Sequence, residues 1–541
     1  MSTRAARVIA VAIIVLICAL PRTQARAKGV DMDPPSGIVP TTATLEQVLT
    51  AHAKAVGTRA DPNDAVIEDE TFTANGLSGT SHDVSYKGDY ISTTTTGSFV
   101  TSEGTVDGRS WSEDVNGQVV DIKGVHERGE VDARALDDAL IHPGENVQLL
   151  GEVASPISAY VVEVNPPSGR PQWIFFDKST GLIDRTETVM PTSRIVESFA
   201  DYKTSYGRMV AWSGHSSDGH PDNDTDWHVT SLRVQPSIAR SLFARPHCRT
   251  FVEMPPGLIR AKLPAYIADG RIVITLTIGG RGYDFLLDSG ASDITVDNSA
   301  AKQMGLTLYG KSQIVVGGQV DQSLAIIPEV NVGLLRLHNV AVDVLPFTEL
   351  IGPHVKLVGL VGFDFIAGME LKVDYDNSVV TAFAPGQYAP PAGTYVIPAL
   401  LDDGVPVVSA QVGSTLGESF IVDTGADKGY LFPHFAELHR KDVADEGLGR
   451  VLNEQSGGGL YSSTIGGGFQ LTPSEVSRFS IGQVTFQDWM IYTLAGDYAQ
   501  EEEDYDGLIG YDFLRFFNVV FDYADSTIYL EPNSTFRKNA R

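Results

Sequence analysis

A mainly β architecture is predicted for this 541-residue chain by three features. Short runs of alternating apolar and polar residues, punctuated by Gly, Pro, Asn and Asp, fill most of its length. One early stretch alone carries clear helical spacing at the head of a domain. The second half is an internal repeat, two units of similar size saying the same thing in the same order. Charged residues make up 20% and the hydrophobic set 43%, the balance of a globular chain rich in turns. The length fits two to four domains at roughly 100–200 residues each. A formal charge of −28 and a pI near 4.7 remove the positive footprint that a phosphate backbone requires, so no nucleic-acid partner is expected.

The amino terminus reads "MSTRAARVIAVAIIVLICALPRTQARA". Arg4 and Arg7 precede an apolar stretch from Val8 to Leu20, and Ala25 and Ala27 supply a small-x-small cleavage site. Residues 1–27 therefore read as a signal peptide, too short in its apolar part for the roughly 20 residues a bilayer span needs. An exported protein, periplasmic or secreted, is the expectation. Cys18 leaves with that segment and Cys248 remains alone, so no intramolecular disulfide is expected.

Elements follow in order. "TLEQVLTAHAKAVG" places Leu45, Val48, Leu49, Ala53 and Val56 on one helical face, and Thr44 with Gln47 suits a capping box. From residue 66 to about 235 alternating runs replace that period, and Asn116-Gly117 and Thr180-Gly181 read as hairpin turns. One helix followed by a large antiparallel sheet is the expected N-terminal domain, residues 40–246. "PHCRTFVEMPPG" (246–257) breaks the pattern with three prolines and reads as a boundary. "APGQYAPPAGT" (384–394) then divides the remainder into units at 262–384 and 395–533.

The repeat is plain by eye. "GLVGFDFIAGMELKVDYDNSVVTAF" begins at Gly359 and "GLIGYDFLRFFNVVFDYADSTIYLE" at Gly507, with Gly362 and Gly510, Asp364 and Asp512, and Tyr375 and Tyr523 at matching places. Earlier in each unit stand "FLLDSGASD" (285–293) and "FIVDTGADK" (420–428). Three apolar residues before each aspartate read as a buried strand. Gly290 and Gly425 allow a sharp turn and close backbone approach. Ser289 and Thr424 have hydroxyls able to brace one loop against the other. "TVDNSAAKQMGL" offers a helix ended by Gly305, and "YLFPHFAELH" another with Pro433 in its first turn.

These motifs resemble those of the aspartic proteases, pepsin-like and retropepsin-like, in bacterial exported form. The matching parts are Asp288-Ser289-Gly290 with Leu360-Val361-Gly362, and Asp423-Thr424-Gly425 with Leu508-Ile509-Gly510. The likeness spans about 262 to 533. It implies a bilobed pepsin/retropepsin-like acid protease fold behind the separate α+β domain, and catalysis by Asp288 and Asp423. Ser289, Gly290, Thr424, Gly425, Gly362 and Gly510 support the active loops, and Asp427 takes the place of a second acid at the contact between the halves. Two carboxyls about 3 Å apart cannot both ionise easily, so one serves as base and the other as acid toward a bound water, and the family needs no metal or cofactor. The resemblance also implies an extended polypeptide as substrate and halves that form a pseudo-dimer within a monomer. "WIFFDKSTGLIDRTE" and "LRVQPSIARSLFARP", behind a single helix, resemble the periplasmic lipoprotein carriers, which implies a concave apolar face for an acyl chain or peptide.

The substrate cover is not assigned to a tyrosine; "IVVGGQVDQ" (314–322) and "LYSSTIGGGFQL" (460–471) are glycine-rich candidates. "HSSDGHPDNDTDWH" (215–228) has metal-ligand residue types without zinc or EF-hand spacing and reads as a solvated loop. "EEED" (501–504) reads as a solvated charge run. No G-x-S-x-G, H-E-x-x-H or Walker A pattern occurs. The rival to an endopeptidase is a protein on the same fold that binds peptide or lipid without turnover.

Overall fold

The computed structural model describes residues 31–57, 64–124, 126–127, 131–132, 136, 139–166, 169–190, 193–249, 251–268, 270–315, 319–347, 356–440, 460–463, 468–495 and 505–539. The signal-peptide and Glu501–Asp504 readings lie outside those residues. The fold is mainly β.

The helix Leu45–Val56 starts where its cap predicts: the Gln47 N–H donates to the Thr44 hydroxyl, and the Gln47 side chain accepts from the Thr44 N–H. Its apolar face packs Val48 and Leu49 against Val162, Val164, Ile174 and Phe176. His52 reaches the Gly181 carbonyl at 2.9 Å, inside the predicted turn. A thirteen-stranded antiparallel sheet follows, its strands running from Val119–Asp121 at one edge to Val147–Val153 at the other. Both anticipated hairpin turns are present, with Gly117 and Gly181 at positive φ. The sheet departs from the apolar expectation along one row: Glu68, Asp83, Ser92 and Glu103 stand opposite one another on successive strands.

The boundary segment is more than a spacer. Val252–Glu253 pairs with Leu337 and Arg336 as an edge strand of the next sheet, because Phe251 and Val252 have apolar side chains to bury there. Likewise 215–228 is a strand, a short 3-10 turn at Pro221–Asn223, and a second strand, rather than a bare solvated loop. Cys248 is exposed and free.

The repeat folds as two lobes around sheets of nine and eight strands. In the first, Phe285, Leu286 and Leu287 end the strand Arg281–Leu287, and Gly359–Val361 runs parallel beside it while pairing antiparallel with Ile294–Asp297. The second repeats this crossing with Thr415–Val422, Gly507–Ile509 and Tyr430–Leu431. A Cβ at Gly362 would stand 2.1 Å from the Ala291 carbonyl oxygen and one at Gly510 2.5 Å from that of Lys428, so only glycine lets the strand pass under the loop. The short helices also match, Asn298–Met304 capped by Asp297 and stopped by Gly305, and Pro433–Leu438 with proline at its start.

A six-stranded sheet joins the lobes, three strands from each, with Glu370–Asp374 antiparallel to Phe517–Asp522 across the join. One continuous core runs from Phe251 through Leu371 and Phe521 to Leu530.

Candidate active site

Each strand ends by delivering its aspartate to the junction of the lobes, where Asp288, Ser289, Asp423 and Thr424 are all buried. The Asp288 N–H donates to the Val361 carbonyl at 3.0 Å and that of Asp423 to Ile509 at 2.9 Å, so the crossing strand holds each loop at its root. The hydroxyls then lock one loop to the other. The Ser289 N–H donates to Thr424 Oγ1 and the Thr424 N–H to Ser289 Oγ, both at 3.0 Å. In return Ser289 Oγ donates to the Val422 carbonyl at 2.8 Å and Thr424 Oγ1 to that of Leu287 at 2.7 Å. Every bond in this set crosses between lobes.

The glycines close the remaining distance. The Gly290 and Gly425 N–H groups donate to Oδ1 of their own aspartates, at 2.9 and 2.6 Å. A Cβ on Gly425 would meet Asp288 Oδ2 at 2.5 Å, and one on Gly290 would meet Asp423 Cγ at 3.0 Å. Each glycine thus lies beneath the other lobe's carboxyl. The two Oδ2 atoms are buried and receive no hydrogen bond from an N–H or hydroxyl of the described residues, while the carboxyls are within hydrogen-bonding reach of one another.

Electrostatics separate the pair. Burial pushes Asp288 up to about 6, opposed in part by Asp423, by the Gly290 and Ala291 N–H groups and by the charge of Arg271. Asp423 is held well above the ordinary carboxyl range by burial first and by the charge of Asp288 second. The side carrying Arg271 follows from the register. Val273 faces Leu286 across the strand pair, and continuing that ladder brings Arg271 level with Asp288. In the second lobe Val407 faces Ile421, so the corresponding place opposite Asp423 belongs to Val405, which is fully buried. The lobes match in shape and differ in charge.

Tyr375 and Tyr523 are additional neighbours of the pair. Burial raises both hydroxyl pKa values, and the charge of Asp423 at Tyr375, and of both aspartates at Tyr523, adds to it. Neither hydroxyl has a hydrogen-bond partner among the described residues. Their signal in the sequence was their equivalence in the repeat. Asp427 ion-pairs with Lys428 at 3.0 Å. The glycine-rich candidates both belong to hairpins, Tyr309–Val315 with Gln319–Val332 and Leu460–Ser463 with Gly468–Ile481, although residues 316–318 and 464–467 lie outside the described set.

A second acidic grouping lies behind the first loop. One oxygen each from Asp114, Asp293 and Asp364 fall within 4.8 Å of one another, the one grouping among the described residues close enough to share a cation. Asn116, read from sequence as a turn residue, is fully buried. Its Nδ2 donates to Asp364 Oδ2 at 2.6 Å and to the Ala341 carbonyl at 3.0 Å. Burial, then neighbouring carboxyl charge, holds Asp293 and Asp364 well above the usual range, and burial takes Asp343 to about 7.

Residues 274–365 match the family model described as aspartyl protease. No curated protein matches the chain. Among solved structures, an aspartic proteinase from Irpex lacteus is similar at 14% identity, covering 52% of this chain and 100% of its own, with a TM-score of 0.31. A retropepsin-like aspartic protease from Rickettsia conorii is similar at 17% identity over 24% of this chain and 91% of its own, TM-score 0.17. A LolA superfamily protein from Nitrosomonas europaea is similar at 11% identity over 38% of this chain and 98% of its own, TM-score 0.28.

Proposed function

We propose that the chain is an aspartic endopeptidase in which Asp288 and Asp423 hydrolyse a peptide bond through a shared water. The observation that carries this reading is the pair of buried carboxyls brought together by reciprocal Ser289–Thr424 hydrogen bonds over two glycines. The Arg271 guanidinium on the Asp288 side, where the other lobe has Val405, favours the ionised form there, so Asp288 is the base and Asp423 carries the proton.

In the first step Asp288 takes a proton from the water as its oxygen bonds to the scissile carbonyl carbon, and Asp423 gives its proton to the carbonyl oxygen. The product is a neutral gem-diol, with no bond to the protein. In the second step the C–N bond breaks, the proton held by Asp288 goes to the leaving nitrogen, and a diol proton returns to Asp423. The pair ends as it began. The Oδ1 atoms stay pinned by the Gly290 and Gly425 N–H groups, which keeps the Oδ2 atoms available to the water.

The organisation we propose is a signal peptide at 1–27, a sheet domain at 40–246 and lobes at 262–384 and 395–533. The protein would be exported and would act as a monomer on extended polypeptide. The acid-bearing row of the N-terminal sheet is a poor match to an acyl chain. The test is cleavage of a mixed peptide library from pH 3 to 8 by the wild type beside Asp288→Asn and Asp423→Asn. Each substitution is expected to lower kcat by about 10²–10⁴-fold or more, the scale of general acid–base catalysis. Equal cleavage by all three proteins, or none by the wild type, would defeat the reading.

A further inference from the structure

The strand Tyr309–Val315 is the outer strand of the nine-stranded sheet, so one of its backbone edges faces away from its own lobe. An open edge is normally blunted or covered. Here the N-terminal sheet covers it. The Asn223 side chain treats Gln313 as a neighbouring strand would: its Oδ1 accepts from the Gln313 N–H at 2.7 Å and its Nδ2 donates to the Gln313 carbonyl at 2.8 Å. Two residues away the Lys311 N–H donates to the Asn75 carbonyl at 2.8 Å, and the Lys311 ammonium meets Asp222 at 2.6 Å. Phe99 packs edge-on to Tyr309, with ring centres 5.7 Å apart. The grip extends to the second strand of the hairpin, where the side chains of Gln319 and His220 are hydrogen-bonded at 2.7 Å.

The same hairpin shares an apolar cluster with residues that flank the catalytic loop. Val320 belongs to one buried cluster with Leu286, two residues before Asp288, and Ala291, three residues after it, and Ile314 packs against that cluster. A rigid, packed hairpin between two contacts passes displacement at one of them to the other.

We propose that the N-terminal sheet is a positioning element of the cleft: through Asn223 and the contacts beside it, it fixes the first-lobe hairpin against the loop that carries Asp288. This rests on the proteolytic reading, because the hairpin's placement matters for that cleft. It gives the sequence 215–228 a structural task that its polar composition concealed. Asn223 is a positioning residue, acting through Gln313 and the packed hairpin rather than on substrate.

The experiment compares full-length wild type, Asn223→Ala and Asn223→Asp by amide hydrogen exchange and by kinetics on an extended peptide that the wild type cleaves. Asn223→Ala removes both bonds to Gln313 and the one that Nδ2 donates to Asp218, while Asn223→Asp keeps the acceptor and sets a second carboxylate against Asp218. Expected for Asn223→Ala is exchange at Gln313 faster by about 10-fold, the scale of one lost hydrogen bond. With it kcat/KM falls about 10-fold, carried mainly by KM, as loosened placement of substrate predicts. Asn223→Asp falls at least as far, because its new oxygen faces the Asp218 carboxylate and the Gln313 carbonyl. The thermal midpoint stays close to wild type, which separates this from general destabilisation. Should Asn223→Ala fail to fold, Lys311→Met, which removes the ion pairs to Asp222 and Asp321 and leaves Asn223 in place, replaces it, with exchange read at Lys311, whose N–H donates to Asn75, and the same kinetics. Unchanged exchange, or faster exchange with unchanged kinetics, overturns the inference. A wild type that cleaves no peptide overturns the proteolytic reading itself, and no variant is needed to see it.

Discussion

Arg271 and Val405 occupy equivalent places beside the two aspartates, and this one difference breaks the symmetry of the site. The guanidinium lowers the pKa of Asp288 against the upward push of burial. The sign for activity follows directly, since the base must be ionised. kcat/KM should rise as pH climbs through about 6, the value for Asp288, and fall once Asp423 loses its proton at higher pH. Arg271→Met removes an opposite charge that favours ionised Asp288, the least of the causes acting on it, so the acid limb should move to higher pH while Arg271→Lys keeps it in place. A pH–rate profile whose acid limb ignores both substitutions would contradict the assignment. The aspartates, hydroxyls and glycines were legible in the sequence because each occurs twice in one pattern. Arg271 was not, because it is read only by counting across a strand pair. Asn116 was read rightly as a turn residue, but the second task of its side chain, bonding to Asp364 and Ala341 in another part of the molecule, was not legible for a related reason.

Strand ends and loops are where the two lobes depend on each other. Thr424→Val keeps the shape, removes the donor to Leu287 and leaves the buried Ser289 N–H without its acceptor. An unsatisfied buried group costs about 1–3 kcal/mol, so the urea midpoint should fall accordingly at constant slope. Gly425→Ala adds a methyl 2.5 Å from Asp288 Oδ2. Overpacking of this kind costs about 1–3 kcal/mol, and because the atom displaced is a catalytic oxygen, peptide cleavage should drop further than stability does. A fully active Gly425→Ala would mean the carboxyls are not so closely opposed. At this scale the sequence was informative wherever local chemistry decides: the Thr44 cap, the Gly305 stop, Pro433, both hairpin turns. It was uninformative where partners are distant. Val252–Glu253 becomes a strand only because Arg336 and Leu337 present an edge, and residues 215–228 look like solvent-exposed loop until Gln313 and Lys311 are placed beside them.

The whole molecule carries a set of buried carboxyls whose pKa values are raised, in the first lobe and where the N-terminal sheet meets it. For such a group the contribution to stability is complete below the unfolded pKa, near 4, and is lost as pH rises through the folded value. Asp343, at about 7, defines the window. The thermal midpoint should therefore decline between about pH 4 and 7, and Asp343→Asn should flatten the decline and raise the midpoint at pH 8, by roughly 2–4 °C for each kcal/mol regained. The Gln322 amide, which donates to Asp343 Oδ1 at 2.8 Å, keeps an acceptor in that variant. A profile that rises across the same interval would contradict the burial of these acids in charged-averse surroundings. Both lobes lie in one chain and share a core, so specific activity should stay constant on dilution; a steep fall would place half of the site on a second copy.

The most direct test of the shared-proton pair is binding of a peptide whose scissile amide is replaced by a hydroxyethylene group, which puts a hydroxyl where the attacked carbonyl stands. Measured by calorimetry, the wild type should bind it at least about 100-fold more tightly than the parent peptide, with the advantage lost in both Asp288→Asn and Asp423→Asn. Equal affinity for the two peptides, or an advantage that survives either substitution, would mean that the two carboxyls do not act together on one bond.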